Sequence, residues 1–341
     1  MKIGKFDTDK EVLIIAEIGN NHEGSYALAE EMIGLAAKAG AGAVKFQTIV
    51  PDKLISPIQQ DRIEQLEKFR LTYDEFEKLS KVAQDENIIF LSTPFDIESA
   101  RFLEPIVPAF KISSGDNNFF PMIDVIIKMG KPIIFSAGLT DLEQITLTKK
   151  FIMDIWSKIG IEQEMAILHC VTSYPTPLAE ANLLSIRTLQ ELGVTVGYSD
   201  HTIGIEAAVI SVALGARIIE KHFTIAKDYS DFHDHQLSAD PHELSELVRR
   251  TSEVNLMLGN GEKRIVECEK NAKGSIRRSI VAGSKLSQGT VLELDHLSWV
   301  RPGGGLSPGR EYELLGKVLR RSLKKGEIIV LDDVCDDEGG K

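Results

Sequence analysis

The sequence predicts an α/β chain in which a (β/α)8 barrel is followed by a small β-rich domain. Three observations point there. Short apolar, β-branched runs alternate with longer segments of helical period, eight of each. The alternation fills roughly 250 residues, which suits one closed barrel and exceeds the roughly six strands of a doubly wound sheet. Past Leu258 it stops, and a charged stretch leads into short β-like runs broken by Gly and Pro.

In chain order the strands are expected at 12–18, 43–48, 88–95, 109–114, 132–137, 165–171, 194–199 and 217–224. The helices are expected at 26–38, 73–84, 97–103, 121–129, 142–159, 182–192, 205–214 and 242–258. Three of these helices run into Gly40, Gly130 and Gly193, fitting the left-handed C-cap that glycine takes without strain. Residues 1–262 are thus assigned to the barrel, 263–276 to a charged linker and 277–341 to the second domain. Within that domain Lys285-Leu-Ser-Gln-Gly-Thr-Val and Leu323-Lys-Lys-Gly-Glu-Ile-Ile, leading to Asp295 and Asp333, form a weak internal repeat. It implies two similar halves. The acidic, glycine-bearing end, 336–341, is expected to fray.

With 341 residues and 43% hydrophobic content the chain can bury a large core. Its apolar runs are too short to span a bilayer and no signal-like segment opens it, so no membrane association and a cytoplasmic location are expected. Three cysteines, Cys170, Cys268 and Cys335, without CxxC spacing indicate neither a disulfide framework nor a zinc knuckle. The net charge of −12 argues against a nucleic-acid surface. An anionic substrate is still compatible with it, because a few lysines converging in one pocket set the local field.

In such a barrel the active site lies at the C-terminal ends of the strands. The polar residues expected there are Glu17 on strand one, Lys45 and Gln47 on strand two, and Thr93 on strand three. Lys111, Ser114 and Asp116 follow strand four, Ser136 strand five, Thr172 and Tyr174 strand six, Ser199, Asp200 and His201 strand seven, and Glu220 and His222 strand eight. A buried ammonium is costly unless it meets an anion. Lys45 and Lys111 therefore mark either structural ion pairs, with Glu17 or Asp116 as partners, or, together with the nearby hydroxyls, a cradle for a phosphate and a carboxylate. His201 and His222, on adjacent strand ends, are placed to share a divalent ion while leaving positions for water and substrate. In the run Asp231-Phe-His-Asp-His235, His233 reads as part of a polar loop. Gly303-Gly304-Gly305 lacks the Lys-Ser/Thr of a P-loop and reads as a turn.

Five segments then resemble those of the N-acetylneuraminate (sialic acid) synthase family: Ala16-Glu-Ile-Gly-Asn-Asn-His-Glu-Gly24, Val44-Lys-Phe-Gln-Thr48, Lys111-Ile-Ser-Ser-Gly-Asp116, Tyr198-Ser-Asp-His-Thr202 and Glu220-Lys-His-Phe-Thr224. Leu168-His-Cys170, Ser173-Tyr-Pro-Thr-Pro177 and Arg301-Pro-Gly-Gly-Gly305 extend the likeness over nearly the whole chain, the last into a SAF (antifreeze-like) domain. The resemblance implies a TIM barrel capped by the SAF domain of a partner in a domain-swapped homodimer, and condensation of phosphoenolpyruvate with an N-acetylated amino sugar. It implies that Lys45, Thr93, Lys111, Ser114, Ser136 and Ser199 hold phosphoenolpyruvate, that His201 and His222 bind Mn2+ or Mg2+, and that Glu17, Gln47, Tyr174, Asp234 and Arg301 orient the sugar. Glu17 and Asp116 become candidates for activating water. Three positions depart from the family's usual residues: Asp116 stands where many bacterial members have glutamate, Thr172 where some have asparagine and Ala137 where threonine is usual. These departures leave the sugar's identity open: N-acetylmannosamine is the expected acceptor, and a diacetamido sugar, giving legionaminic or pseudaminic acid, the alternative. A non-catalytic binding protein is the remote alternative, against which the kept buried charges argue.

Overall fold

Eight parallel strands form the first sheet of the computed structural model, which describes residues 1–336. They are β1 (Leu13–Gly19), β2 (Ala43–Thr48), β3 (Ile89–Pro94), β4 (Phe110–Ile112), β5 (Ile133–Ser136), β6 (Met165–Cys170), β7 (Thr195–Asp200) and β8 (Ile218–His222). Their order in the sheet is β3-β2-β1-β8-β7-β6-β5-β4. Since β3 and β4 at its two ends also lie against each other, the circle closes into the expected barrel.

Helices follow the strands: α1 (Tyr26–Lys38), α2 (Tyr73–Asp85), α3 (Ile97–Leu103), α4 (Phe120–Lys128), α5 (Leu142–Ile159), α6 (Ser185–Gln190), α7 (Glu206–Ala213) and α8 (Pro241–Leu258). Local chemistry sets their ends. Thr72 and Glu75 form a capping box that opens α2. Asp141 caps α5, and Gly160, in the left-handed region, ends it. Gly40, Gly130 and Gly193 take positive φ as their places after helices require.

The period of two explains how one barrel interior holds both a core and a site. Counting up β1, β2, β3 and β8, the inward residues are Leu13, Ile15 and Glu17; Ala43, Lys45 and Gln47; Ile89, Leu91 and Thr93; and Ile218, Glu220 and His222. The lower members join Met1, Ile3, Ala109, Ile134, Ala166 and Leu168 in an apolar plug, while the upper members are polar. Met1 and Ile3 reach this plug from an N-terminal hairpin, Lys2–Ile3 paired with Phe6–Asp7. Outward residues of the same strands, among them Ile14, Ala16, Val44 and Phe46, pack on the helices in the larger core. At Gly197 of β7 a Cβ would collide with the carbonyl of Ile218 and the side chain of Leu168, so only glycine lets β7 approach its neighbours there.

Four local expectations are revised. β4 is short because Ser114–Asp116 turns into a 3-10 helix, and α6 keeps only the central part of its expected span. The β2–α2 connection holds two further helices, Pro51–Leu54 and Gln60–Glu67. Part of the expected linker is helix α9 (Glu267–Ile276), whose Glu269 accepts the backbone N–H of Val266.

By contact the chain divides into Met1–Asn260 and Gly261–Lys341. In the second unit β9 (Ser279–Ala282) pairs with β10 (Leu297–Val300), and β11 (Val318–Leu319) with β12 (Val334–Cys335). The internal repeat is structural. Each copy runs through a bridge residue (Leu286, Leu323), a turn with a positive-φ glycine (Gly289, Gly326), a 3-10 turn (Leu294–His296, Leu331–Asp333) and a strand. The bridges Val281–Ile328, Leu286–Leu323 and Val291–Val318 pair one copy with the other in mutually exchangeable positions. Of the tail expected to fray, 336–341, residues 337–341 lie outside the described residues. Among the described residues no helix is long and apolar enough to cross a membrane.

Candidate active site

The top layer of the barrel interior surrounds a cavity of about 250 Å3. Its walls include Glu17, Lys45, Gln47, Thr93, Lys111, Ser114, Ser136, Thr172, Tyr174, Ser199, His201, Glu220 and His222, so thirteen of the residues singled out from the sequence converge there. A hollow of about 660 Å3 exists beneath the barrel, near Met1 and Arg217. The smaller cavity is the site because its polar groups converge on one point, which size does not ensure.

At its floor two lysines and two glutamates meet, all nearly inaccessible to solvent. Nζ of Lys45 lies 2.6 Å from Oε2 of Glu17 and 3.8 Å from Oε2 of Glu220. Nζ of Lys111 lies 3.7 Å from Oε1 of Glu220. Hydroxyls complete the first contacts: Lys45 donates to Thr93 at 3.1 Å, Lys111 to Ser136 at 2.7 Å, and Ser199 to Glu220 at 2.8 Å. The partner of Lys111 is thus Glu220 rather than Asp116.

Burial acts on these groups unequally. It pushes the Glu17 carboxyl up to about 7, with Lys45 pulling down and Glu220 adding to the rise. Burial also opposes charge on Glu220, but Lys111 and Lys45 together outweigh it and hold that carboxyl below its ordinary value. Lys111 is lowered by burial. Lys45, although buried, is held up by Glu17 and Glu220. Glu220 serves both lysines and is the better held as a carboxylate, which leaves Glu17 as the group able to take a proton. Oε2 of Glu220, 3.8 Å from Lys45 Nζ, accepts no hydrogen bond.

His201 and His222 form the opposite wall with ring centroids 5.3 Å apart, and the Tyr174 ring packs 4.2 Å from that of His201. Nδ1 of His201 sits 2.8 Å from the carbonyl of Val171, which leaves Nε2 as the free nitrogen. Burial, reinforced by His201, keeps His222 far below its ordinary pKa, and its buried Nδ1 has no hydrogen-bond partner. A neutral imidazole with an unused nitrogen beside a second imidazole fits a divalent ion that draws its other ligands from substrate and water. Among the described residues no group of three or more His, Cys, Asp or Glu side chains converges as a closed metal site.

A second cavity, about 160 Å3, shares Gln47, Tyr174 and His222 with the first and adds Asn20, Arg62, Gln65, Phe69 and Asp234. Asp234 lies 3.8 Å from Nδ1 of His222. Gln47 links the two spaces, donating to Glu17 at 3.1 Å and accepting from Asn20 at 3.3 Å. Asp116, Arg301 and Asp200 stand apart. Asp116 does not line either cavity, and its carboxylate accepts from Ser113 Oγ at 2.6 Å. Arg301 belongs to the second unit and is exposed at the end of β10. His233, expected as a polar loop residue, is exposed at the edge of the second cavity with Nε2 3.0 Å from Oδ1 of Asp234. Lys221, between Glu220 and His222, points outward and pairs with Asp200 at 3.0 Å, a structural ion pair.

Comparison with known proteins agrees with this geometry. The NeuB family model matches residues 32–263 and the SAF domain model residues 277–334. The chain belongs to the NeuB family of sugar-acid synthases. Among NeuB relatives, the N,N'-diacetyllegionaminic acid synthase of Campylobacter jejuni is 36% identical, the match covering 94% of this chain and 99% of that one. The human N-acetylneuraminate-9-phosphate synthase is 31% identical over 96% of this chain and 94% of that one. The crystal structure of N-acetylneuraminic acid (sialic acid) synthetase from Leptospira borgpetersenii, a citrate complex, superposes with a TM-score of 0.73 at 33% identity, covering 80% of this chain and 94% of that one.

Proposed function

We propose that this NeuB-family enzyme condenses phosphoenolpyruvate with N-acetylmannosamine and water to give a nine-carbon 2-keto acid and phosphate. The observation that carries this is the convergence of Lys45 and Lys111, with Thr93, Ser114, Ser136 and Ser199, on a cavity whose far wall is His201, His222 and Tyr174. The lysines and hydroxyls suit the phosphate and carboxylate of phosphoenolpyruvate. The adjoining cavity, with Gln47, Tyr174 and Asp234, suits the sugar. Mn2+ or Mg2+ held by His201 and His222 would polarise the acceptor's aldehyde.

In the reaction, C3 of phosphoenolpyruvate bonds to the aldehyde carbon and positive character develops at C2. Water adds at C2, and the tetrahedral intermediate expels phosphate by breaking its carbon–oxygen bond. Glu17, whose raised carboxyl borders the cavity, is the base placed to take the water's proton. Asp116 is one shell removed from this space.

A second reading replaces the acceptor with a 2,4-diacetamido sugar. The C. jejuni relative named for N,N'-diacetyllegionaminic acid favours it, as does Thr172, whose buried hydroxyl in the cavity wall lacks a partner. Phosphate release from phosphoenolpyruvate with Mn2+ separates the two: the sugar that stimulates it names the acceptor, and no release with any sugar overturns both. Two residues complete the proposal. His222→Ala is expected to abolish turnover and weaken Mn2+ binding in a calorimetric titration; unaltered binding counts against the metal role. Arg301 is proposed to close the sugar site from a second copy in a domain-swapped dimer. Arg301→Ala should then raise the sugar's KM about tenfold and that of phosphoenolpyruvate far less, whereas equal effects would remove the cap.

A further inference from the structure

Asp234 sits on a one-turn helix, Asp234–Leu237, between β8 and α8. One turn of helix is not stable by itself, so whatever aims Asp234 into the sugar cavity comes from outside the turn. The anchor is the next residue. The His235 side chain is 1% exposed, with Nε2 3.0 Å from Oε1 of Glu23 and Nδ1 2.7 Å from the hydroxyl of Thr224. Glu23 also accepts from Ser230. At the other end Ser238 donates to the Asp234 carbonyl at 2.6 Å and accepts at 2.9 Å from Asn21, which also donates to the Phe223 carbonyl at 2.8 Å.

Two residues of the β1–α1 loop, Asn21 and Glu23, thereby grip the β8–α8 loop. Glu23 holds a left-handed backbone, φ 47°, which is unfavourable for a side chain-bearing residue and which persists where surrounding contacts over-determine it. We propose that His235, latched to Glu23, is a positioning residue that fixes Asp234 for the acceptor. This rests on reading Asp234 as a sugar-binding group. His235 itself touches neither substrate cavity.

Steady-state kinetics of the full-length enzyme provide the first test. His235→Ala is expected to raise the acceptor's KM about tenfold, the loss of a charge-assisted hydrogen bond, and to change the KM of phosphoenolpyruvate less than about twofold. In an Asp234→Asn background the same substitution should add nothing further, because its effect passes through Asp234. A full multiplicative effect in that background, or an equal rise in both KM values, overturns the proposal.

Hydrogen–deuterium exchange supplies a readout independent of the sugar: amides at 234–238 should exchange faster in the variant than in the wild type. Unchanged exchange overturns the latch even if no sugar proves to be a substrate, whereas faster exchange with an inactive wild type leaves the latch standing and removes only the functional reading. If His235→Ala does not fold, Glu23→Gln breaks the ionic half of the same contact. Faster exchange at 234–238 is expected from it too, and wild-type exchange there overturns the proposal.

Discussion

At the barrel mouth Lys45, Lys111, Glu17 and Glu220 face one another with almost no solvent contact, whereas in the second unit the charges lie outside an apolar core. There Ile280, Leu286, Leu292, Leu314, Leu319, Leu323 and Ile329 pack together, and Arg321, half exposed, spans Asp333 and Glu327 from the surface. The barrel mouth holds its ion pairs where desolvation is most costly, whereas each Arg321 pair keeps at least one partner in solvent. Surface pairs contribute little, and buried pairs can often be replaced by apolar groups without loss of stability. On the proposed function the barrel cluster is explained by the phosphoenolpyruvate anion it would receive, and the second unit's charges by solubility and local stapling.

The largest expected effect breaks the barrel side of this contrast. The double variant Lys111→Met/Glu220→Gln removes a buried charge of each sign and should lower phosphate release at least about 100-fold, while thermal denaturation shows a melting temperature equal to or above the wild type's. A large drop in melting temperature would make the cluster structural. A smaller effect concerns pH. As pH rises past about 7, Glu17 loses its proton and becomes the base that the water's proton requires, so kcat should rise through that range. Glu17→Gln should lower kcat and flatten that ascending limb, and its persistence would assign the titration to another group. The smallest effect belongs to the second unit: Arg321→Ala should leave kcat and both KM values unchanged, and a kinetic defect there would erase the distinction.

Much of this was legible before any coordinates. The alternation of strand and helix runs predicts the barrel, and the ends of the strand runs predict most of the polar residues at its mouth. Other features escaped. Glu220 carries no motif that marks it as the counter-ion of both lysines, although its spacing from His222 was a usable signal. Arg62 and Gln65 line the second cavity only because a polar helix, Gln60–Glu67, folds over the mouth; its weak apolar stripe hid it. Asp116 was expected to face the substrate, but the turn at Ser114–Asp116 directs its carboxylate to Ser113.

By itself the sequence determined which side chains share a face, because a strand's two-residue period is a local property of the backbone. Only the tertiary structure decided which charges meet and which carboxyl burial raises. Those outcomes depend on distances of a few ångströms between strands far apart in the chain, and on the water excluded when the barrel closes.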